Sequence, residues 1–230
     1  MHFTIVPKIV RIFLPRGLTW RIEHSTYSVS PGGNCTVDNN VKAVKASPVI
    51  YLTFDDGPVP EITPAVLDIL RQYNAKATFF CVGDNVRKHP EIFEMVLRDG
   101  HATGIHTYSH LKGIKTDDTT YFNDIERCAK YINTRLFRPP YGRISRSQVR
   151  HLRTKYLIIM WSALTGDYNH RLTKEQVLEN AIKYTRHGSI IVFHDSIKAS
   201  ERMFYALPRM LEHFTKKGYT FQAIDQDKVG

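Results

Sequence analysis

From residue 49 onward, the sequence alternates between short runs of β-branched and aromatic residues and longer stretches in which apolar residues recur every three or four positions. The first pattern is typical of buried strands and the second of amphipathic helices. Strands that alternate with helices form a parallel sheet, because each helix returns the chain to the edge where the previous strand began. The sequence therefore predicts an α/β fold, either an open sheet or a closed barrel.

The predicted strands cover residues 49–54, 77–82, 102–106, 136–138, 157–161, 189–193 and 221–224. The predicted helices cover residues 64–73, 90–98, 121–134, 147–155, 174–184 and 204–216. Gly100, Gly188 and Gly218 each follow a helical stretch, where a left-handed residue commonly ends a helix.

We expect one main domain over residues 48–230, preceded by an arm of loops over residues 1–47. The uncharged apolar runs in residues 1–22 are far shorter than the ~20 residues that cross a bilayer. Pro7, Lys8 and Arg11 also interrupt any secretory signal. The sequence thus predicts no transmembrane helix, no export signal, and a location in the cytoplasm or at the inner membrane face. The arm either packs on the outside of the barrel, which we favour, or makes a peripheral contact with an anionic membrane.

The charge balance favours anionic partners. Lys and Arg number 32 against 22 Asp and Glu, a net charge of +10, which attracts polyanions such as nucleic acid, anionic lipid or an anionic cell-wall polymer. Residues 138–155 are rich in these cations (Arg138, Arg143, Arg146, Arg150, Arg153 and Lys155). No nucleic-acid motif accompanies them, so we expect a solvated helix face that helps to attract an anionic glycan, and no nucleic-acid partner.

The cysteines limit the kind of metal site that the chain can build. Cys35, Cys81 and Cys128 lie far apart and are odd in number, which excludes a disulfide framework and a cysteine-based zinc cluster. Any metal would be bound by histidines and carboxylates.

Polar side chains stand at the carboxyl ends of the predicted strands. Asp55 and Asp56 follow the first strand, and His106, Arg138 and His194 end or follow later ones. In a β/α barrel these strand ends form the active face. The sequence therefore predicts that these residues meet at one end of the molecule.

The run Thr53-Phe54-Asp55-Asp56-Gly57-Pro58 places two carboxylates where a strand ends in a sharp turn. Neighbouring side chains of a strand point in different directions, so the two carboxylates can serve different roles. One could bind a metal while the other acts as a base. The alternative is a solvated turn, for which Asp, Gly and Pro are common residues.

His106 and His110 are four residues apart, a spacing that lets two imidazoles reach one ion from a tight turn. Two histidines and one carboxylate, with an open position for water, form a recurrent catalytic zinc site. The spacing also arises by chance, but the nearby Asp56 makes a metal site the better interpretation.

Two further segments supply polar groups to the same face. Pro139 restricts Arg138, whose guanidinium can pair with a carboxylate through both oxygens or contact an anion. His194 follows a strand of buried character, and histidine is the usual general acid near neutral pH. The alternative for the last segment is an incidental His194 beside Asp195 acting as a helix cap.

Taken together and in this order, the segments Thr-Phe-Asp-Asp-Gly-Pro, His-Thr-x-x-His, Arg-Pro-Pro-Tyr and x-x-His-Asp resemble the polysaccharide deacetylases of the NodB-homology type, carbohydrate esterase family 4. The resemblance covers roughly residues 49–224. It implies a distorted (β/α)7 barrel, a divalent ion (usually zinc, sometimes cobalt or nickel), and hydrolysis of acetyl groups on amino sugars.

The resemblance also implies a role for each matching residue. Asp56, His106 and His110 would bind the metal, Asp55 would be the general base, and His194 would be the general acid. Arg138 would hold Asp55, and the backbone amide of Tyr141 would help to stabilise the oxyanion.

The chain departs from the family pattern in two segments. The usual Asp-x-x-Asp-Trp is Leu164-Thr165-Gly166-Asp167-Tyr168, so the first Asp and the Trp are absent. Asp167 remains, and we expect it to tune His194, with Lys76 as a further partner. The usual Leu-x-His is Val192-Phe193-His194, which makes the apolar wall one methylene smaller. These changes affect the expected rate and substrate fit.

The expected activity is removal of N-acetyl groups from N-acetylglucosamine residues of peptidoglycan or a chitooligosaccharide-like glycan. The same residues would serve an O-acetyl esterase acting on acetylxylan. A non-catalytic carbohydrate-binding protein is a third possibility, although the residues implied as ligands, base and acid are all present.

Overall fold

The computed structural model of the protein describes residues 18–19 and 47–228. Its strands are β1 (Leu18–Thr19), β2 (Val49–Asp56), β3 (Thr78–Cys81), β4 (Ala102–Ile105), β5 (Leu136–Phe137), β6 (Leu157–Ile159), β7 (Ala163–Leu164), β8 (Ile190–His194) and β9 (Thr220–Gln222). Its helices are α1 (Ile62–Gln72), α2 (Gly83–Lys88), α3 (Pro90–Arg98), α4 (Asp118–Ala129), α5 (Arg146–Leu152), α6 (Lys174–Lys183) and α7 (Ser200–Lys216). Gly113–Lys115 and Pro140–Gly142 form short 3₁₀ turns.

The sheet is parallel and curled. Its strand order is β1-β6-β5-β4-β3-β2-β8-β7, and β9 pairs with the beginning of β2. Strands β6 and β7 are consecutive parts of one stretch of chain, of which the first pairs with β5 and the second with β8. This stretch connects the two sides of the curled sheet, so the predicted α/β fold with a distorted barrel is confirmed.

The two faces of β2 have different surroundings. Ile50, Leu52 and Phe54 pack in the large apolar cluster that includes helix residues such as Leu67 and Met210. Val49 and Tyr51 belong to a smaller cluster with Phe80, Leu136 and Ile190 from other strands. Since side chains alternate along a strand, Asp55 continues the second series and points into the barrel.

The predicted helices and strands are present, with boundaries that differ by a few residues. Helix α4 begins three residues before the predicted start, because Asp117 accepts a hydrogen bond from the amide of Thr120 and caps the helix. The predicted strand 157–161 is shorter, ending at Ile159, and β7 follows it as a separate strand. Helix α2 was not predicted, because its six residues are too few to show a helical period. Gly100, Gly188 and Gly218 all have positive φ, as predicted.

The arm lies almost wholly outside the described residues. From it the structure describes only Ser47 and β1, which pairs in parallel with β6. Cys35 and the remainder of the cationic segment 1–22 are also outside, whereas Cys81 and Cys128 are buried and free. Within residues 47–228, helices long and apolar enough to cross a membrane are absent.

Candidate active site

The carboxyl ends of β2, β4, β5 and β8 bring the predicted polar residues together. Asp55 of β2 lies opposite His194 of β8 in the parallel register. Gly104 of β4 faces Phe80 of the barrel interior, and alternation then points His106 to the same side. The alternation of side chains along each strand therefore directs Asp55 and His106 into the barrel.

Asp56 is the exception to this alternation. It follows Asp55 directly, so a regular strand would turn its side chain away from the barrel interior. Its φ angle is +90°, in a region that residues with a Cβ rarely adopt. The chain leaves strand geometry at this residue, which lets two adjacent carboxylates serve the same site.

Asp56, His106 and His110 form a candidate metal centre. One ligand atom from each lies within 4.8 Å of the others, and Asp56 Oδ1 is 3.2 Å from His110 Nε2. His106 Nδ1 is 2.7 Å from the carbonyl oxygen of Arg138, so this nitrogen carries the proton and Nε2 keeps its lone pair toward Asp56. Two imidazole nitrogens and one carboxylate are a donor set that suits a divalent transition metal.

The electrostatics of this centre favour cation binding. Burial raises the pKa of Asp56, but the hydrogen bond from His110 and the neighbouring histidines outweigh it and hold this pKa well below its usual range. Burial lowers the pKa of His106 to about 4. Both groups are therefore in their metal-binding protonation states near neutral pH.

Arg138 is completely buried and fixes Asp55. Its Nη1 donates to Asp55 Oδ1 and to Thr53 Oγ1, each at 2.7 Å. Its other nitrogens donate to the carbonyl oxygens of Ile159 and Met160 at 3.1 and 3.0 Å. Burial lowers the pKa of Arg138, although Asp55 opposes this effect. Thr53 and the two carbonyl groups were not predicted, because they follow from how the strands pack.

His194 pairs with the buried Asp167. Asp167 Oδ1 is 2.8 Å from His194 Nδ1, and Asp167 Oδ2 accepts the His194 amide at 2.7 Å. Burial lowers the pKa of His194, but the negative charges of Asp167, Asp56 and Asp55 outweigh it and raise this pKa to about 9. The imidazole is therefore held as a proton donor, with Nε2 free of Asp167.

The expected pairing of Lys76 with Asp167 is wrong. Lys76 precedes β3, so it lies at the opposite end of the barrel from Asp167. Its ammonium group donates to the carbonyl oxygen of Asp99. Asp167 is supported instead by Arg202, whose Nε donates to the Asp167 carbonyl oxygen at 2.7 Å.

The alternative role of Asp195 as a helix cap is also wrong. Helix α7 begins at Ser200 without a side-chain cap. Asp195 is buried and accepts bonds from the Gly57 amide at 3.0 Å and from the Thr63 hydroxyl at 2.6 Å. A contact across 138 residues of sequence leaves no local signal from which it could be predicted.

Tyr141 lies at the rim of the site. The residue is 60% exposed, and its ring lies edge-on to His110 with the ring centres 4.8 Å apart. Its φ angle is +60° within the turn Pro140–Gly142, where the amides of Gly142 and Arg143 donate the turn's bonds. Tyr168, in the position where the resemblance expects Trp, lies edge-on to His194 at 4.9 Å.

Comparisons with known proteins agree with this geometry. The family model described as polysaccharide deacetylase matches residues 42–156. A peptidoglycan-N-acetylglucosamine deacetylase of Bacillus cereus is 33% identical over 207 residues, which cover 86% of this chain and 94% of that protein. A chitooligosaccharide deacetylase of Azorhizobium caulinodans is 35% identical over 161 residues, which cover 66% of this chain and 76% of that protein.

Solved structures show the same fold. The crystal structure of a peptidoglycan N-acetylglucosamine deacetylase in complex with 4-naphthalen-1-yl-N-oxidanyl-benzamide superposes with a TM-score of 0.73 at 32% identity. The match covers 78% of this chain and 87% of that chain. With these matches and the ordered motifs at one end of the barrel, the chain belongs to the polysaccharide deacetylase family.

Proposed function

We propose that this chain is a metal-dependent deacetylase that hydrolyses the N-acetyl groups of N-acetylglucosamine residues in peptidoglycan or a chitooligosaccharide-like glycan. The observation that supports this most strongly is the convergence of three groups at one end of the barrel. These are the Asp-His-His cluster, a buried carboxylate fixed by an arginine, and a histidine paired with a buried aspartate. Together they provide a cation site, a base and an acid, which amide hydrolysis requires.

Asp56, His106 and His110 would hold the ion. Zinc suits two imidazoles and one carboxylate with a position left open, and cobalt or nickel could take its place. When bound, the ion would polarise the acetamide carbonyl group and lower the pKa of water.

Asp55 would accept the proton from the attacking water. Its Oδ1 is bound by Arg138, which orients the carboxylate and leaves Oδ2 to receive the proton.

His194 would deliver a proton to the leaving amine. Nδ1 is engaged by Asp167, so the proton on Nε2 is the one available for transfer. The Tyr141 amide would donate to the oxyanion, where one such hydrogen bond contributes about 3 kcal/mol.

The test is acetate release from N-acetylglucosamine oligomers, peptidoglycan and acetylxylan, with zinc added or chelated. We expect chelator-sensitive release from an N-acetylated substrate. Asp55→Asn should keep the bound metal and lose turnover, whereas His110→Ala should lose the metal. Asp68→Asn and His151→Ala are matched exposed controls outside the site and should behave as the parent protein.

Each other outcome has a defined meaning. Release from acetylxylan alone would make the protein an O-acetyl esterase. Glycan binding without any release, in protein that contains metal, would support a binding protein. Unchanged metal content in His110→Ala would contradict the ligand assignment.

A further inference from the structure

Two turns carry the candidate metal ligands, and both have strained backbone. The carboxylate turn, residues 55–59, contains Asp56 at φ +90°. The histidine turn, residues 106–111, contains Thr107 at φ +61° and His110 at φ +56°. Each of these is a residue with a Cβ in the left-handed region, which persists only where the surroundings hold it in place.

In the carboxylate turn, side chains bind both polar atoms of the Asp56–Gly57 peptide group. Asn85 Nδ2 donates to the Asp56 carbonyl oxygen at 2.9 Å. Asp195 Oδ1 accepts the Gly57 amide at 3.0 Å. A Cβ added at Gly57 would overlap the Asp195 carboxylate, so this position needs glycine for the close approach.

Asp195 also fixes the far end of the carboxylate turn. Its Oδ2 accepts the Thr63 hydroxyl at 2.6 Å, and Thr63 Oγ1 accepts the Val59 amide at 2.8 Å. The Asp195 amide donates to the Asp55 carbonyl oxygen at 3.2 Å. One buried residue after β8 thereby connects the beginning, middle and end of the turn that presents Asp56.

In the histidine turn, Asp124 of α4 binds the backbone as Asp195 does in the carboxylate turn. Its Oδ2 accepts the amides of Tyr108 at 2.7 Å and of Ser109 at 2.9 Å. These two residues lie between Thr107 and His110. The Asp124 carboxylate therefore binds the backbone between the two strained positions.

We infer that Asp195 and Asp124 are positioning residues: from outside the metal centre, each holds a strained turn in the conformation that directs its ligands toward one ion. This inference rests on the metal site of the proposed function. It predicts that removing their hydrogen bonds weakens metal affinity, since groups that orient metal ligands typically contribute 10- to 100-fold.

The two residues differ in a way that gives a sharp test. Asp124 uses one oxygen for both bonds, so an asparagine oxygen can replace it. Asp195 uses both oxygens, and asparagine has only one. If geometry decides, Asp124→Asn should bind zinc nearly as well as the parent protein, while Asp124→Ala and Asp195→Asn should bind it about 10-fold more weakly.

The measurement is the zinc dissociation constant of the metal-stripped full chain, titrated against a chromophoric chelator. Circular dichroism of each variant checks that it is folded. Asp118→Asn and Asp118→Ala, on the same helix as Asp124, are matched controls, since the structure gives the Asp118 side chain no bond to either turn. Thr63→Val should weaken zinc binding, whereas Thr63→Ser, which keeps the hydroxyl, should bind zinc as the parent protein does. The threonine pair decides the matter if Asp195→Asn fails to fold.

Parent-like zinc affinity in Asp124→Ala and Asp195→Asn would overturn the inference. Equal losses in Asp124→Asn and Asp124→Ala would also overturn it, because a pure charge effect would then explain the data. A parent chain that binds no zinc would overturn both the metal site and this inference. Failure of acetate release alone, with the predicted affinities observed, would overturn only the proposed activity.

Discussion

At the residue scale, Arg138 shows why a guanidinium group is needed inside the barrel. It follows β5, and it binds Thr53 and Asp55 of β2 and the carbonyl oxygens of Ile159 and Met160. The guanidinium carbon also lies over the aromatic ring of Phe80, 4.1 Å from the ring centre. A planar group with several donors can serve all these partners at once, and a lysine ammonium cannot.

Replacing Arg138 with methionine should destabilise the protein by about 3–5 kcal/mol, because it leaves the Asp55 carboxylate buried without a partner. Chemical denaturation measures this change, with exposed Arg143→Met as the control. The double variant Arg138→Met/Asp55→Asn should recover part of the loss. If the single and double variants were equally unstable, the ion pair would not be the cause.

His194 should titrate abnormally in metal-free protein. The carboxylates around it raise its pKa to about 9 from the ordinary 6.5, and Asp167→Asn should lower it by removing the paired charge. Because the folded-state pKa is the higher one, the contribution to stability is complete below pH 6.5 and is lost as the pH rises through about 9. NMR titration of the His194 ring tests this, and an unshifted pKa in the parent protein would contradict it.

At the scale of elements, the loop after β4 and helix α5 are joined by one buried side chain. Gln148 completes the capping box of α5 with Ser145. Its Nε2 also donates to the carbonyl oxygens of Gly113 and Thr116 at 3.0 and 3.3 Å. A helix cap therefore also fixes the loop that continues from the histidine turn.

Gln148→Ala should destabilise the protein by about 1–3 kcal/mol, because it removes the side-chain donor to the Thr116 carbonyl, one of two donors to the Gly113 carbonyl, and half of the capping box. Thermal and chemical unfolding measure the loss. Exposed Ser147→Ala, one residue away, is the control. A loss in Gln148→Ala no larger than in Ser147→Ala would show that the link between loop and helix contributes nothing.

At the scale of the whole molecule, a group of exposed cations follows the turn at the rim of the site. Arg143, Arg146 and Arg150 are exposed and follow directly from the turn that contains Tyr141. Lys112 lies over the Tyr141 ring at 5.3 Å. Lys155, farther along the chain, pairs with Glu126.

Raising the ionic strength should therefore raise the apparent KM for an anionic glycan and leave kcat nearly unchanged. Exposed charges attract the glycan over a long range, and at 0.1 M salt this attraction is largely screened beyond about 10 Å. Steady-state kinetics on peptidoglycan test this, with a neutral N-acetylglucosamine oligomer as the control. A KM that is equally insensitive to salt for both substrates would remove the steering role.

The sequence by itself determined the α/β class, the candidate metal ligands, and the meeting of Asp55, His106, Arg138 and His194 at one end of the barrel. These follow from local information: a period of two residues, strand ends, and parallel strands that all point the same way. Their proposed roles follow from the family motifs.

Only the tertiary structure decided which groups support them. Asp195 binding Gly57, Asp124 binding the histidine turn, Arg202 in place of Lys76 behind Asp167, and the end of β6 at Ile159 before the unpredicted β7 all depend on contacts between distant segments. Strand register and packing decide these contacts. A short stretch of sequence does not show them, because the residues that meet lie far apart along the chain.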